Sequence, residues 1–487
     1  MQEETVDTRE DRGPDVDEPH PRRWRILAVT LVVGFMSLLD VTIVNVAIPS
    51  IQAGLDTSAG TVQWVVSGYA LTFGLTLVAG GRLGDAYGRR RLMLVGLAGF
   101  VLSSAAVGLA PTAELVVVAR LLQGASAGLL TPQSSGLIQE LFSGPERGRA
   151  FGYFGLTVSI ASATGPLLGG LVIGLVGEDL GWRLVFLVNV PIGVVAAVAV
   201  ARMVPGRSDD SGPGRIDVPG AVLLGLSVLC LLYPIVSLES GERWPLVLLV
   251  GVPLFGAAFV RWELRTKRRG HEPLLDLDLL RRLPGYGNGM LVGTVYFTGF
   301  TGVFLVASVW LQDSRDVSAL HAGLLLTPFA LGSAITSPLA GRLVSTVGRS
   351  LTVGALVVMM VGVLGAAIVA PTAATNDLWW ALAPFLLLAG LGGGGVISPN
   401  ITLTLQEVPP RMGGAAGGAL QTGQRIGSSL GAALLATTYQ VVAADADGDT
   451  GVRVALLVAL VVLALALAAA VLALRTARRT ASKPATR

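Results

Sequence analysis

The sequence predicts an all-α polytopic membrane protein, because long apolar runs recur along a chain that carries little charge. Of its 487 residues, 52% are hydrophobic and 14% are charged, whereas soluble domains carry about 25% charged residues. Residues 454–474 contain neither a charge nor a proline, and a bilayer core takes about 20 apolar residues per helix. Since backbone polar groups in lipid must be satisfied internally, a helical bundle is expected.

Apolar runs of spanning length define fourteen predicted spans. They begin near Ile26, Thr61, Leu92, Leu115, Ala150, Trp182, Val218, Leu246, Tyr286, Ala322, Leu351, Leu378, Gly414 and Val454. We predict a disordered cytoplasmic tail over 1–25, an N-terminal six-helix bundle over 26–204, two inserted helices over 205–262, a cytoplasmic loop over 263–285, a C-terminal six-helix bundle over 286–475 and a cytoplasmic tail over 476–487.

The distribution of Lys and Arg predicts the orientation, since cytoplasmic loops carry an excess of these residues. With the N-terminus inside, the tails and the loops after even-numbered spans hold all of the 35 Lys and Arg residues except six. Both termini are therefore predicted to be cytoplasmic, and this side is called the predicted cytoplasmic face below. The six exceptions are Arg120 and Arg425, which lie within spans, and Arg183, Arg243, Arg315 and Arg453 in outer loops.

An internal repeat relates the two halves. The segment GRLGDAYGR at 81–89 matches GRLVSTVGR at 341–349, and TPQ at 131–133 matches SPN at 398–400. Each pair keeps its place in the helix order, eight spans apart, so equivalent helices run in the same direction. The pattern predicts a parallel pseudo-two-fold repeat of two six-helix bundles with two inserted helices, and substrate sites in such folds lie near the midplane.

Four motifs follow one another along the first half: LDVTIVNVAIP at 39–49, GRLGDAYGRR at 81–90, RLLQG at 120–124 and ASATGPLLGG at 161–170. They resemble the motifs of the fourteen-helix drug/proton antiporter family of the major facilitator superfamily. The last motif departs from the family pattern at its opening Ala161, where Gly is usual. The resemblance covers nearly the whole chain after the tail, and it implies an exporter of drugs or antibiotics in a bacterial plasma membrane.

Two charged residues within spans are the predicted proton-coupling pair. An ionised side chain at the bilayer centre costs about 2.5–3.5 kcal/mol on insertion scales, so it usually faces a cavity or a partner. Asp40 and Arg120 both lie in the outer halves of their spans, and they are expected to pair directly or through water. Arg120 stays protonated and acts by modulating a carboxylate. The alternative is a polar bridge that only orients helices.

The resemblance also implies a gate and a closure element. Asp85, with Arg89 and Arg90, is the predicted cytoplasmic gate, although the positive-inside rule alone accounts for Arg90. The second copy of this motif has Ser345 in place of Asp85, so the acidic member comes from the first half. Glycine and proline in the fifth span permit a bend and close helix approach, and plain helix packing explains them equally well. These antiporter-motif residues are Gly165, Pro166, Gly169 and Gly170.

The substrate cavity is expected between the first and fourth spans and their repeat equivalents, the ninth and twelfth. The second half contributes apolar and aromatic side chains, which suits a hydrophobic, cationic or amphipathic drug. Arg425 is predicted either to bind an anionic group or to brace the second half. The candidate cavity residues are Asn45, Gln123, Tyr296, Phe300, Asn400 and Arg425.

The composition excludes several function classes. Three histidines, at 20, 271 and 321, are too dispersed for a metal cluster, and no Gly-Lys-Ser/Thr follows the glycines at 392–395. We expect no catalysis, cofactor or nucleic-acid partner, but a small-molecule substrate, protons and the lipid bilayer, with a functional monomer. The alternatives are a symporter or uniporter of a metabolite, and a membrane sensor or scaffold that transports nothing.

The predicted topology is testable by labelling. In a chain with Cys230→Ser, a cysteine at Arg268 should react with a membrane-impermeant maleimide only in everted vesicles. A cysteine at Asp447, in a predicted outer loop, should react only in intact cells and serves as the matched control. Labelling of the Arg268 reporter in intact cells would contradict the fourteen-span arrangement.

Overall fold

The fold is almost entirely helical, and the part of the chain that the structure describes contains fourteen helical segments long and apolar enough to cross a membrane. A computed structural model describes residues 20–206, 217–239 and 244–481. Of the predicted tails, residues 20–25 and 476–481 are described, and 23–25 and 476–481 belong to the first and last helices; the rest of both tails lies outside the described residues. The helices are α1 (Arg23–Gly54), α2 (Ala59–Tyr87), α3 (Arg89–Gly108), α4 (Ala113–Leu141), α5 (Gly144–Val176), α6 (Glu178–Leu187), α7 (Asn189–Met203), α8 (Val218–Glu239), α9 (Gly251–Arg268), α10 (Asp278–Arg282), α11 (Pro284–Asp313), α12 (Ala319–Val347), α13 (Arg349–Val369), α14 (Leu378–Leu405), α15 (Gly413–Asp445) and α16 (Gly448–Ala481).

The sixth and eighth spans depart most from a single continuous α-helix. The sixth span is α6 and α7, which meet at Val188. The eighth span begins as a 3₁₀ helix at Trp244–Val250 and continues as α9. The loop predicted at 263–285 contains the short helix α10, which hydropathy does not reveal.

The repeat recognised in the sequence is a structural repeat. In the first half α2 packs on α4, α1 on α5 and α3 on α7, and the same pattern recurs as α12 on α14, α11 on α15 and α13 on α16. The loop after α2 turns at Gly88 with φ 94°, and its counterpart after α12 turns at Gly348 with φ 62°. Glycine tolerates this left-handed backbone region, which side chains with a Cβ rarely adopt. The two six-helix bundles are therefore built on one plan.

The inserted helices α8 and α9 pack against each other beside the first half. Helix α8 contacts α2 and α15, with the Trp64 and Tyr233 rings 5.6 Å apart at their centroids. The segment after α9 is attached to α2 by an ion pair between Arg82 and Glu272 at 2.5 Å. The insertion therefore contacts α2 of the first half and α15 of the second half.

The halves meet along two seams of equivalent helices, α2 with α15 and α5 with α12. A Cβ at Gly148 would lie 2.5 Å from the Gly341 carbonyl oxygen, and one at Gly414 would lie 2.6 Å from the Gly81 carbonyl oxygen. Gly81 and Gly341 are the opening residues of the two repeated loop motifs. Small residues that allow close backbone approach are typical of membrane helix interfaces. Glycine pairs thus close the predicted cytoplasmic face at both seams.

A side chain at Gly148 should open this face. Overpacking a tight contact costs about 1–3 kcal/mol, so Gly148→Val should raise the maleimide reactivity of a cysteine at buried Ser337 roughly tenfold. Gly174→Val is the control on the same helix, because a Cβ there meets nothing within 4 Å. Equal reactivity in both variants would show that the seam does not depend on the glycine contact.

Candidate functional site

A buried ion pair joins α1 to α4 in the first half. Asp40 and Arg120 are fully buried, and Arg120 Nη1 lies 2.5 Å from Asp40 Oδ2. Gln123 Nε2 and Asn189 Nδ2 each donate to Asp40 Oδ1 at 2.9 Å. Charge-assisted hydrogen bonds are the strong ones in a medium of low dielectric. The carboxylate therefore has donors on both oxygens.

Arg120 is held by further contacts that do not involve Asp40. Its Nε donates to the Val65 carbonyl at 2.8 Å, and its Nη1 donates to Gln123 Oε1 at 2.8 Å. The guanidinium also lies over the Tyr69 ring at 4.2 Å, and the Tyr69 hydroxyl donates to the Ser37 carbonyl at 3.1 Å. Helices α1, α2, α4 and α7 thus converge on one cluster, and Arg120 keeps partners if Asp40 loses its charge.

The antiporter motif packs directly beside this cluster. A Cβ at Gly165 would lie 2.7 Å from the Thr42 Cβ and 2.9 Å from the Ile43 nitrogen, so α5 approaches α1 at a place that only glycine fits. The Thr42 hydroxyl donates to the Ala161 carbonyl at 3.2 Å. Gly169 faces Ile43 one turn further along, and Pro166 lies near Gly323 of α12. Helix α5 therefore contacts the Asp40 helix and the opposite half at the same level.

Asp85 bridges the halves at the predicted cytoplasmic face. Its oxygens accept from the Gly414 and Ala415 backbone N–H groups at 3.1 and 2.8 Å. These are the first residues of α15, where free N–H groups and the helix dipole favour an anion. Arg89 Nη2 donates to Asp85 Oδ1 at 2.9 Å and to the Pro410 carbonyl at 2.9 Å. One carboxylate and one guanidinium thus connect α2 and α3 to the second half.

The predicted gate residue Arg90 and the repeat counterpart Ser345 are placed differently from Asp85. Arg90 donates to the Ala201 carbonyl in α7, which belongs to its own half. Ser345, the counterpart of Asp85, is exposed, and its hydroxyl contacts the Arg342 carbonyl in its own helix at 3.4 Å. The contact between a carboxylate and a helix N-terminus is thus formed by the first copy of the motif.

The predicted cavity residues are not all in one place. Gln123 belongs to the Asp40 cluster, where it also donates to Ser104 at 2.7 Å. Tyr296 and Asn400 are buried inside the second half, donating to the Gly393 and Gly289 carbonyls. Asn45 is exposed and Arg425 is partly exposed. The Phe300 ring stacks on Tyr296 at 5.3 Å in an aromatic cluster of α11 and α12.

Sequence reasoning missed several polar groups. Asn189 contacts Asp40 from the break between α6 and α7, and no periodicity signals that role. At the base of the inserted helices, Asp217 and Glu263 are both buried, and Trp262 Nε1 donates to Asp217 Oδ1 at 2.7 Å. One oxygen of each acid has no hydrogen-bond partner among the described residues. Asp217 and Glu263 lie at the ends of predicted spans, and acidic residues in such positions do not stand out in a sequence.

Comparison with known proteins finds similarity over most of the chain. The family model described as Major Facilitator Superfamily matches residues 30–432 and 290–487. The probable actinorhodin transporter of Streptomyces coelicolor is 36% identical over 446 residues, which cover 89% of this chain and 76% of that protein. The puromycin resistance protein pur8 of Streptomyces alboniger is 36% identical over 414 residues, covering 84% of this chain and 80% of that protein.

The fold is also found among solved structures. The structure of the proton:xylose symporter XylE matches with a TM-score of 0.63 at 16% identity, covering 91% of this chain and 94% of that one. At this identity the likeness concerns the fold alone.

The Asp85 contact generates a prediction. Asp85→Asn removes the charge at the N-terminus of α15 and one of its acceptors, and hydrogen bonds to charged groups contribute about 1.5–3 kcal/mol. The initial rate of transport in vesicles should therefore fall roughly tenfold while the protein remains folded and inserted. Ser345→Asn at the repeat position is the control. Unchanged initial rates for Asp85→Asn would mean that this carboxylate is only a loop residue.

Proposed function

Because the chain belongs to the Major Facilitator Superfamily, we propose that it exports hydrophobic or amphipathic drugs in exchange for protons by alternating access. The observation that carries this proposal is the buried ion pair of Asp40 and Arg120. Ionisable residues inside a span mark ion or substrate pathways by default. Two relatives at 36% identity are named as a probable actinorhodin transporter and a puromycin resistance protein, which supports a drug as the cargo.

In this proposal Asp40 carries the proton. Its carboxylate binds a proton when the outer side is accessible and releases it when the cytoplasmic side is accessible. Arg120 cannot carry the proton, because a guanidinium stays charged in proteins. It stabilises the ionised carboxylate at 2.5 Å, and its contacts with Val65 and Gln123 hold it in place when Asp40 is neutral. Competition between a proton and Arg120 for one carboxylate then links protonation to helix position.

Alternating access is supported by how the halves meet. The glycine pairs and the Asp85 contact describe a protein whose predicted cytoplasmic face is closed. Opening that face requires α2 to leave α15 and α5 to leave α12. The Ser159 and Ser333 hydroxyls, 2.8 Å apart, extend the second seam to mid-membrane depth. Since α5 also packs on the Asp40 helix through Gly165, movement at this seam acts directly on the proposed proton site.

The proposal includes an orientation and a domain organisation. Both termini lie in the cytoplasm of a bacterial plasma membrane, as the Lys and Arg distribution favours. The bundles over 26–204 and 286–475 act as the two moving bodies, with 205–262 as the insertion. Each copy is expected to transport as a monomer, because both seams and the Asp40 cluster form within one chain.

Asp40→Asn should abolish proton-driven export but retain energy-independent exchange. Asn keeps the size of Asp and removes the titratable charge. With puromycin as the probe, accumulation driven by a pH gradient in everted vesicles should fall at least about tenfold, which corresponds to a coupling of 1–3 kcal/mol. Exchange of internal for external puromycin without a gradient should continue. A pH-driven gradient in Asp40→Asn vesicles would exclude Asp40 as the proton site.

Two controls make this result interpretable. Removing one partner of a buried ion pair costs about 3–5 kcal/mol, so folding of the variant is checked by thermal unfolding and size-exclusion chromatography. Asp40→Glu keeps a titratable group and should recover part of the coupled transport. A symporter or uniporter would instead show no pH-driven accumulation of puromycin in wild-type everted vesicles. A sensor would show no transport at all.

A further inference from the structure

Arg425 of α15 places a guanidinium within a span. Among the described residues this guanidinium has no anionic partner. Among the described residues no carboxylate or other acceptor contacts it, and the Phe73 ring lies 4.5 Å from the guanidinium carbon. Its nitrogens are not among the buried polar atoms sealed without a partner, and the side chain is partly exposed. Arg120 differs on each point, being fully buried and paired with Asp40. Arg425 is therefore partly exposed and has no ion-pair partner in the part of the chain that the structure describes.

The position of Arg425 follows from the geometry of the α2–α15 seam. Near the predicted cytoplasmic face the backbones touch at Gly81 and Gly414, and one turn further a Cβ at Gly418 would lie 2.5 Å from the Leu77 carbonyl oxygen. At mid-membrane depth the contact is between the long side chain of Arg425 and the Phe73 ring. The seam thus changes from backbone contact to side-chain contact, and Arg425 lies at the side-chain contact.

The residues around Arg425 connect it to the first half. Gln421, one turn earlier on α15, donates to the Ser135 hydroxyl of α4 at 3.0 Å, so this face of α15 is directed at the first half. Phe73 lies one turn from Tyr69 on α2, with ring centroids 5.9 Å apart, and Tyr69 stacks beneath Arg120. Two aromatic rings therefore separate the unpaired guanidinium from the Asp40 ion pair.

An accessible guanidinium beside an aromatic face is suited to one class of ligand. Its planar fork binds carboxylates with two parallel hydrogen bonds, and an aromatic ring offers a surface for a flat ring system. A cation–π contact alone leaves the charge without a counter-ion in a region where unpaired charge is unfavourable. A substrate acid group would supply the missing counter-ion.

Resting on the proposed export function, we propose that Arg425 binds the carboxylate of an aromatic, amphipathic acid, with Phe73 stacking on its ring system. The alternative from the sequence, that Arg425 braces the second half, requires intramolecular partners for the guanidinium. Its contact with Phe73 instead crosses to the first half. Acidic aromatic compounds therefore belong to the proposed substrate range.

A matched pair of fluorescent probes tests the proposal. Pyrene-1-carboxylate and pyrene-1-carboxamide differ in charge and hardly in shape, and their Kd values for the purified full-length protein are measured by fluorescence anisotropy. The carboxylate should bind the wild-type protein more tightly than the amide. Arg425→Gln should raise the Kd of the carboxylate about tenfold or more and leave that of the amide within about twofold, while Arg425→Lys keeps part of the preference.

Further variants separate the outcomes. Phe73→Leu should weaken binding of both probes, and Arg453→Gln, which removes an exposed arginine, should change neither. Equal binding of both probes to wild-type protein, or an equal effect of Arg425→Gln on both, would overturn the proposal and leave a bracing role. These Kd values do not depend on whether the protein transports puromycin in response to a pH gradient. A charge-selective site without pH-driven transport in wild-type vesicles would contradict proton-coupled export and keep the Arg425 site.

Discussion

The cost of an unpaired charge in lipid determines how the first half is arranged. Arg120 requires acceptors, and it finds them on α1, α2 and within its own helix α4. Asp40 in turn receives donors from α4 and from Asn189 at the start of α7. These contacts fix the rotation of each helix about its axis, because one wrong face would leave a buried charge without a partner. The remaining packing, including the glycine contact of α5 on α1, is compatible with that single arrangement.

A shared backbone plan leaves the two halves chemically different. Gly81 and Gly341 perform the same packing role at the two seams, because close helix approach depends on backbone shape alone. Asp85 and Ser345 occupy equivalent positions, yet only Asp85 faces a helix N-terminus across the seam. Charged contacts of Asp85 and Arg89 tie the halves at the α2–α15 seam, whereas the α5–α12 seam closes through glycine and serine contacts. The repeat therefore specifies geometry, and individual substitutions specify chemistry.

Hydropathy was sufficient to predict the fourteen spans, because membrane thickness and the requirement for backbone hydrogen bonds leave few alternatives. The repeat was predicted from the motif shared by 81–89 and 341–349. Asp40 and Arg120 were recognisable as isolated charges within apolar runs. The break at Val188 and helix α10 were not predicted, since both depend on tertiary contacts rather than on composition. The partner of Arg90 on α7 and the acids Asp217 and Glu263 were also missed. Each depends on which helix face meets which neighbour, and a one-dimensional pattern does not contain that information.

The two intramembrane arginines differ in whether their contacts cross a seam. The partners of Arg120 all lie in the first half, so its ion pair can persist while the halves move as rigid bodies. The contact of Arg425 with Phe73 joins the halves and must break when α2 leaves α15. Under alternating access, an anion bound to Arg425 therefore changes the relative stability of the two conformations, because only a ligand with different affinity for two states shifts their equilibrium. Phe73 and Tyr69 lie on one face of α2 between this contact and the Asp40 pair. Movement of that single helix then alters the surroundings of both charges, which provides a physical route from substrate binding to proton release.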